Sequence, residues 1–470
     1  MNNRTSLTTA LLRKKPIESG AERDTGLQRA LSAWDLTLLG IGAIIGAGIF
    51  VLSGEGAAKA GPAVTLSFVM AGTACGFTAL AYAELAAMIG GSGSAYGYAY
   101  VGFGELTAWV IGWDLILEYS LAASVVAIGW SGYVNKALAA VGLHVPPELL
   151  HSPAEGGIIN LPAAAIILIL AGLLMVGVRE SARFNAAIVF IKLTAIAIFM
   201  AVAFAHLDIH NWSPFAPFGW EGVMGGAALI FFAYIGFDAV STAADETRNP
   251  QRDLPMGIIL SLSICTILYI AVGALLTGIA PYQSLDVPSP VADALLNIGV
   301  RWAAAVVSAG AIAGLTSVML VMFFGQTRIF FAMSRDRLLP PMFAELNPKT
   351  HTPVKVIMAC GLVIASIAGF APISTVAELV NIGTLAAFTL VSAGVIMLRY
   401  QQPELKRPFR TPFSPVIPAL GILSCLYLMS NLQALTWIGF AVWTTLGLIV
   451  YFSFSRRQSA LASITLGHLS

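Results

Sequence analysis

The sequence predicts an all-α integral membrane protein with about twelve transmembrane helices. Three observations carry that expectation. The chain has 470 residues, 57% of them hydrophobic and 10% charged, with a mean hydropathy of +0.83. Soluble domains carry about 25% charged residues. Apolar stretches of about 20 residues, enough to cross a bilayer, recur along the whole length. Lys and Arg also concentrate in alternate loops. A chain this apolar is solvated by lipid, and its formal net charge of +1 gives no case for a nucleic-acid partner.

The elements follow in order. Residues 1–33 are polar and include Arg13, Lys14 and Lys15. No apolar core lies at signal-peptide distance, so this segment reads as a cytoplasmic tail and not a cleaved leader. The first five spans are expected at roughly 36–57, 63–89, 96–140, 158–177 and 183–206. The next five are expected at roughly 220–244, 254–280, 297–332, 353–370 and 374–399. The last two are expected at roughly 413–431 and 435–454. This divides the chain into a five-helix half (34–206), a second half (207–400), two further helices (401–455) and a cytoplasmic tail (456–470).

Orientation follows the positive-inside rule. Arg179 and Arg183, Arg248 and Arg252, Arg335, Arg337 and Lys349, then Lys406, Arg407 and Arg410 fall on one side, with Arg456 and Arg457. The loops near 143–157, 207–219, 281–296 and 371–373 hold no Lys or Arg. Both ends of the chain are therefore expected in the cytoplasm of a cell with a multi-pass inner-membrane protein. Cys75, Cys265, Cys360 and Cys425 fall inside apolar stretches. They read as small buried hydrophobes, not as a disulfide or metal framework.

The stretch "GAIIGAGIF", Gly42–Phe50, places three glycines where a helix should be continuous. Each interior Gly costs a helix about 1 kcal/mol relative to Ala. Two readings explain this. Gly42-xxx-Gly46 is a close-packing motif, or the helix breaks. A dinucleotide loop is excluded, because no strand precedes the glycines and their spacing is wrong. A break would expose N–H groups suited to a carboxylate and carbonyls suited to an ammonium. Lipid tolerates such backbone only where protein or a cavity surrounds it.

A second set of breaking signals lies in the sixth span, "ALIFFAYIGFDAVSTAADETRNP". Spans one and six occupy corresponding positions in two five-helix halves. Paired interruptions of this kind point to an inverted-repeat transporter with its site at the bilayer midplane.

Lys192, mid-span in "AAIVFIKLTAIAIF", costs about 2.5–3.5 kcal/mol to insert. An intramembrane charge is a functional candidate by default. Asp114 and Glu118 are one helical turn apart and share a face, which suits either a proton pathway or structural hydrogen bonds. Asp238 follows the suspected break at Ile235–Gly236 and suits a cap on the next half-helix. Glu84 reads as a cap or gate beside "GGSGSAYGY", and Glu378 as a solvated interfacial acid. Phe231, Phe232, Tyr234 and Phe237 are either packing or a substrate lid, and Met322 is core filler. The sequence holds no HExxH, GxSxG or metal-ligand cluster, so no enzyme and no metal site is expected.

"LTLLGIGAIIGAGIFVLSG", "FFAYIGFDAVSTAADETRNPQRDLPMGI" and "GQTRIFFAMSRDRLLP" resemble the amino acid–polyamine–organocation superfamily, and most of all the bacterial form of its cationic amino acid transporter branch. The resemblance runs from about Leu31 through the tenth span and more weakly beyond. It implies the fold of the leucine-type sodium symporters, two inverted five-helix repeats plus two helices. It implies a substrate carboxylate on the backbone of Ile44, Ile45, Gly46, Ala47 and Gly48, and an ammonium at the carbonyls of Phe232, Ala233 and Ile235. Ala47 stands where many relatives have Thr or Ser, so a hydroxyl contact is missing.

Lys192 is similar to a fifth-span Lys that replaces a sodium ion in proton-coupled members. The resemblance thus implies H⁺ as coupling ion, no cofactor, and roles near the pathway for Glu118 and Asp238. The eighth span lines the pocket in this fold, where Met322 would limit side-chain size. The expectation is H⁺-coupled symport of small neutral L-amino acids. An exchanger or facilitator, a carrier of cationic amino acids and a non-transporting amino acid sensor are the alternatives. An accessory membrane subunit is neither implied nor excluded.

Overall fold

The computed structural model describes residues 13–15, 30–89, 94–177, 182–350 and 352–461. Most of the expected N-terminal tail, Arg179 and the last nine residues of the expected C-terminal tail lie outside them. Among the described residues, eight helical runs are long and apolar enough to cross a bilayer. Four more apolar helices are shorter: Ala33–Ile44, Leu161–Val176, Val354–Phe370 and Val416–Ser430. In chain order these runs make twelve apolar segments, as the hydropathy pattern predicts.

The first span has two pieces, Ala33–Ile44 and Ser53–Ala60, with a π-helical turn at Gly48–Leu52 leading into the second. The second to fifth spans are Val64–Ile89, Glu105–Ala140, Leu161–Val176 and Ala182–Ala205. The sixth is Gly219–Ile230, continued by 3₁₀ turns at Phe231–Tyr234 and Asp238–Glu246. The seventh to tenth are Pro250–Ile279, Arg301–Arg335, Val354–Phe370 and Ile373–Gln401. The eleventh and twelfth are Val416–Ser430 and Ala434–Val450.

One predicted element differs. The long third segment is two helices, Ser94–Gly102 and Glu105–Ala140. They are separated at Gly104, whose φ of 106° is open to glycine and ends the first helix.

The third span runs through the middle of the bundle, buried along most of its length, while the twelfth exposes an apolar face. Such a face suits lipid and not water. Hydrogen bonds define two ends of the bundle. At the end rich in Lys and Arg, Leu31 pairs with Thr247 in a short parallel bridge, and Arg248 N–H donates to the Leu31 carbonyl at 2.9 Å. At the opposite end, Ala63 N–H donates to the Phe215 carbonyl at 2.9 Å and Asp208 N–H to that of Gly278 at 3.0 Å. Lys136 and Asp293 form an ion pair at that end.

Two acids are placed differently from expectation. Glu84 is an ion-paired, buried acid. Arg399 grips it through two bonds of 3.0 and 2.6 Å, Thr411 N–H donates to it at 2.8 Å, and the Arg407 guanidinium lies 3.5 Å away. A buried carboxylate needs such partners, and they come from the distant tenth span and the loop after it. Glu378 is not solvated. It is buried and accepts from Lys59, Gln433 and Thr436 at 3.3, 3.0 and 2.9 Å. The four cysteines are buried and free, as their apolar settings predict.

Candidate functional site

The first span breaks at the glycines. Ile45 leaves helical geometry with ψ of 98°. The next bond into the second piece is Phe50 N–H to the Gly46 carbonyl, 3.3 Å. The initial N–H groups of a helical segment have no intrahelical acceptor, so the region from Gly46 presents donors. The glycines also serve close packing. A Cβ on Gly48 would run into the backbone of Ala233 in the sixth span. The break is thus realised, and of the Gly42-xxx-Gly46 pair Gly42 packs tightly, on Asn185 and Val189, while Gly46 makes ordinary contact with Val318.

The sixth span breaks where predicted. Ile235 is extended with ψ of 133°, and Gly236 has φ of 117°. Only glycine adopts that conformation cheaply, and a Cβ there would also press on the Ala43 backbone. Asp238 is buried at the start of the 3₁₀ turn that follows the break.

The interruptions pair the four half-helices. The first piece of span one meets the later part of span six through Ala43–Gly236, Gly40–Val240 and Leu31–Thr247. The second piece meets the earlier part of span six through Gly48–Ala233 and Gly56–Ile230. Between the two pairs lies a narrow cavity. The first span lines it with Ala43, Ile44, Gly46, Ala47 and Gly48, the third with Ala122 and Val126, the sixth with Phe232 and Ile235, and the eighth with Val318 and Met322.

Seven predicted site residues thus meet on one cavity. Two others lie behind it: Ala233 packs on Gly48, and Ile45 turns its carbonyl away to Lys192. No lining residue carries a polar side chain, so polar recognition in this cavity falls to backbone N–H and C=O groups.

Lys192 is fully buried. Its Nζ donates to the Gly42 carbonyl at 2.7 Å and to the Ile45 carbonyl at 3.0 Å. These are the carbonyls that the break frees at the end of the first piece. A charge-assisted donor is the strongest partner such groups can find. The aliphatic stem of Lys192 lies along Gly314 of the eighth span. Tyr269 O–H donates to the Ile44 carbonyl at 2.8 Å, and Tyr133 O–H to that of Phe50 at 2.6 Å. Side chains of the fifth, seventh and third spans thus hold four carbonyls of the interrupted segment.

Glu118 and Asp114 are buried on the third span but do not face this cavity. Asp114 lies beside Trp109, Trp113 and Trp443, and its Oδ1 has no hydrogen-bond partner among the described residues. Phe231 meets Phe388 edge to face and Phe237 meets it at a tilt, and Tyr234 donates to the Phe68 carbonyl at 2.7 Å. Of the four aromatics only Phe232 reaches the cavity; the other three pack.

Sequence reasoning missed Tyr269, Tyr133 and Asn381. Asn381 Nδ2 donates to the carbonyls of Ala228 and Leu229, both at 2.8 Å. A lone Asn within an apolar span is the signal that could have drawn attention to it.

The sequence profile described as "Amino acid permease" matches residues 31–454. The chain is 50% identical over 458 residues to the methylthioribose transporter of Bacillus subtilis, covering 96% of this chain and 99% of that one. It is 49% identical to the branched-chain amino acid permease BcaP of the same organism, over 96% and 99% of the two chains. It is 40% identical to the vacuolar cationic amino acid transporter 2 of Arabidopsis thaliana, over 84% of this chain and 64% of that one. These likenesses and the all-helical membrane architecture agree. The chain is a transporter and not an enzyme, and it belongs to the amino acid permease family, within the amino acid–polyamine–organocation superfamily.

Proposed function

We propose that this permease carries small neutral L-amino acids by H⁺-coupled symport, and that Lys192 is the group through which the proton acts. The contact of Lys192 Nζ with the Gly42 and Ile45 carbonyls is the observation that carries the proposal. In its charged form the amine holds the end of the first half-helix. On losing its proton it loses most of that grip, and the half-helix becomes free to swing. The substrate carboxylate sits on N–H groups at Gly46–Gly48, and its ammonium sits against sixth-span carbonyls near Phe232 and Ile235. Glu118 and Asp238 are the buried acids by which a proton reaches or leaves this region. The two halves, 34–206 and 207–400, form the inverted repeat around the site, and the Lys/Arg-rich end is cytoplasmic.

The apolar lining supports a neutral cargo. A cationic side chain would find no acid on the cavity wall, and an unpaired charge there is costly. The relatives named for branched-chain amino acids and for methylthioribose are named for cargoes with apolar ends, which an apolar wall accommodates. Met322 closes one side of the cavity, so alanine and similarly small residues fit best.

The test is uptake of radiolabelled alanine, leucine and arginine into proteoliposomes, with and without an inward proton gradient. Gradient-driven uptake of alanine above leucine, and loss of gradient dependence in Lys192→Ala, is the expected result. Gradient-independent counterflow by both proteins would establish an exchanger or facilitator in place of a symporter. Dominant arginine uptake would overturn the argument from the apolar wall, and binding without flux would make the protein a sensor.

A further inference from the structure

We propose that Tyr133 of the third span is a positioning residue for the cargo's carboxylate: by holding the π-helical turn Gly48–Leu52 it fixes the direction in which the N–H groups at Gly46–Gly48 point. This inference rests on the transport reading above and names what aims its main-chain donors.

An α-helix bonds each N–H to the carbonyl four residues back, and a π-helical turn reaches five back. The wider turn holds one residue more and leaves a carbonyl unmatched where it passes into the regular helix Ser53–Ala60. A buried carbonyl needs a donor. Two hydroxyls meet the turn: Ser53 Oγ donates to the Ile49 carbonyl and Tyr133 O–H to the Phe50 carbonyl, both at 2.6 Å. Ser53 belongs to the same helix, and a Ser bonds the carbonyl four residues back in regular helices too. Tyr133 comes from another span, so of the two it is the one that ties the turn to the rest of the bundle.

The third span is shaped to receive the turn. The Phe50 and Tyr133 rings meet edge to face with centroids 6.3 Å apart. One helical turn before Tyr133, Gly129 leaves room for Val51, whose methyl would lie 2.6 Å from a Cβ there. Phe50, Val51 and Tyr133 are all buried.

The π turn follows directly on the cavity segment. Each residue advances an α-helix by about 100°. Loss of the extra residue would rotate Gly46–Gly48 by about that angle against the half-helix behind them, and their N–H groups would leave the cavity. No lining residue carries a polar side chain, so none makes up for donors that are turned away. Tyr133 does not line the cavity; it acts on the cargo through the turn.

The experiment measures the binding of L-alanine and of L-alaninamide, which lacks the carboxylate, by titration calorimetry of the purified full chain, for wild type and Tyr133→Phe. Wild type should prefer alanine by at least about tenfold, the worth of one charge-assisted hydrogen bond. In Tyr133→Phe that preference should fall at least about fivefold, with alaninamide binding changed less than about twofold. A merely damaged protein weakens both ligands together. A preference that stays at the wild-type ratio, or is absent from wild type, therefore overturns the proposal. If Tyr133→Phe yields no folded protein, Gly129→Ala carries the test, because its added methyl displaces Val51 and with it the turn.

A wild type that binds neither ligand refutes the transport reading instead. The hold of Tyr133 on the turn is then read from Ala47→Cys, whose position faces the cavity, by its rate of labelling with methyl methanethiosulfonate above the background of the four buried cysteines. Labelling at least about threefold slower with Tyr133→Phe added supports the rotation, and an equal or faster rate overturns it.

Discussion

The two pairs of half-helices are built alike and fastened differently. Both pairs touch through a glycine where a Cβ would strike backbone: Gly48 against Ala233 in one pair, Gly236 against Ala43 in the other. Their attachments to the rest of the bundle use different side chains. The pair at the Lys/Arg-rich end hangs on a single fully buried amine, Lys192, helped by the Tyr269 hydroxyl. The pair at the other end is held by a buried carboxylate and an amide on one turn of the tenth span. On the transport reading proposed above, loss of the Lys192 proton loosens the first of these fastenings, whereas the Asn381 amide does not titrate.

Lys192→Ala breaks the comparison most severely. It removes the side chain that holds the Gly42 and Ile45 carbonyls, at about 1–3 kcal/mol for each group left unsatisfied. Gradient-driven uptake should fall by two orders of magnitude or more, as judged by initial rates in proteoliposomes.

Gly236→Ala and Gly48→Ala come next and form a matched pair. Each forces one half-helix pair apart. Gly236→Ala adds the strain of a left-handed backbone, about 1 kcal/mol or more, so it should lower the melting temperature further than Gly48→Ala. Equal shifts would mean that the steric contact alone matters.

Glu84→Ala sharpens the comparison as a control away from both pairs. It leaves Arg399 and the buried Arg407 without their carboxylate, a loss of about 3 kcal/mol. Thermal stability should drop while the KM of the surviving protein is unchanged. Tyr269→Phe is the smallest change. It deletes one hydrogen bond, to Ile44, for about 1 kcal/mol. The rate of uptake should fall severalfold, with a shift toward the Lys192→Ala phenotype. If the tyrosine acts only in packing, uptake stays at the wild-type rate.

Span number, the two interruptions and the buried lysine were legible because each leaves a local mark: a run of apolar residues, a cluster of glycines, a charge far from any span end. Glu84 and Glu378 were misread because their partners lie 315 and 319 residues away. From sequence alone an acid near a span end looks solvated, and only the fold brings Arg399 or Lys59 to it. Tyr269, Tyr133 and Asn381 escaped for a related reason. Their work is to satisfy another helix's carbonyls, and the need for that arises only once the break exists. The cavity residues followed from the break, yet Ile45 and Ala233 faced away from it, because an extended residue and a 3₁₀ turn rotate side chains in a way that no helical period describes.

A cavity whose walls carry no polar side chain has a consequence for how such a carrier diversifies. On the proposed reading the groups that grasp the common part of the cargo belong to the main chain, and no point substitution deletes a main-chain amide except one to proline. The wall residues Ala122, Val126, Val318 and Met322 are then free to drift in size. New specificities can arise by single apolar exchanges, with the shared handle preserved at every intermediate.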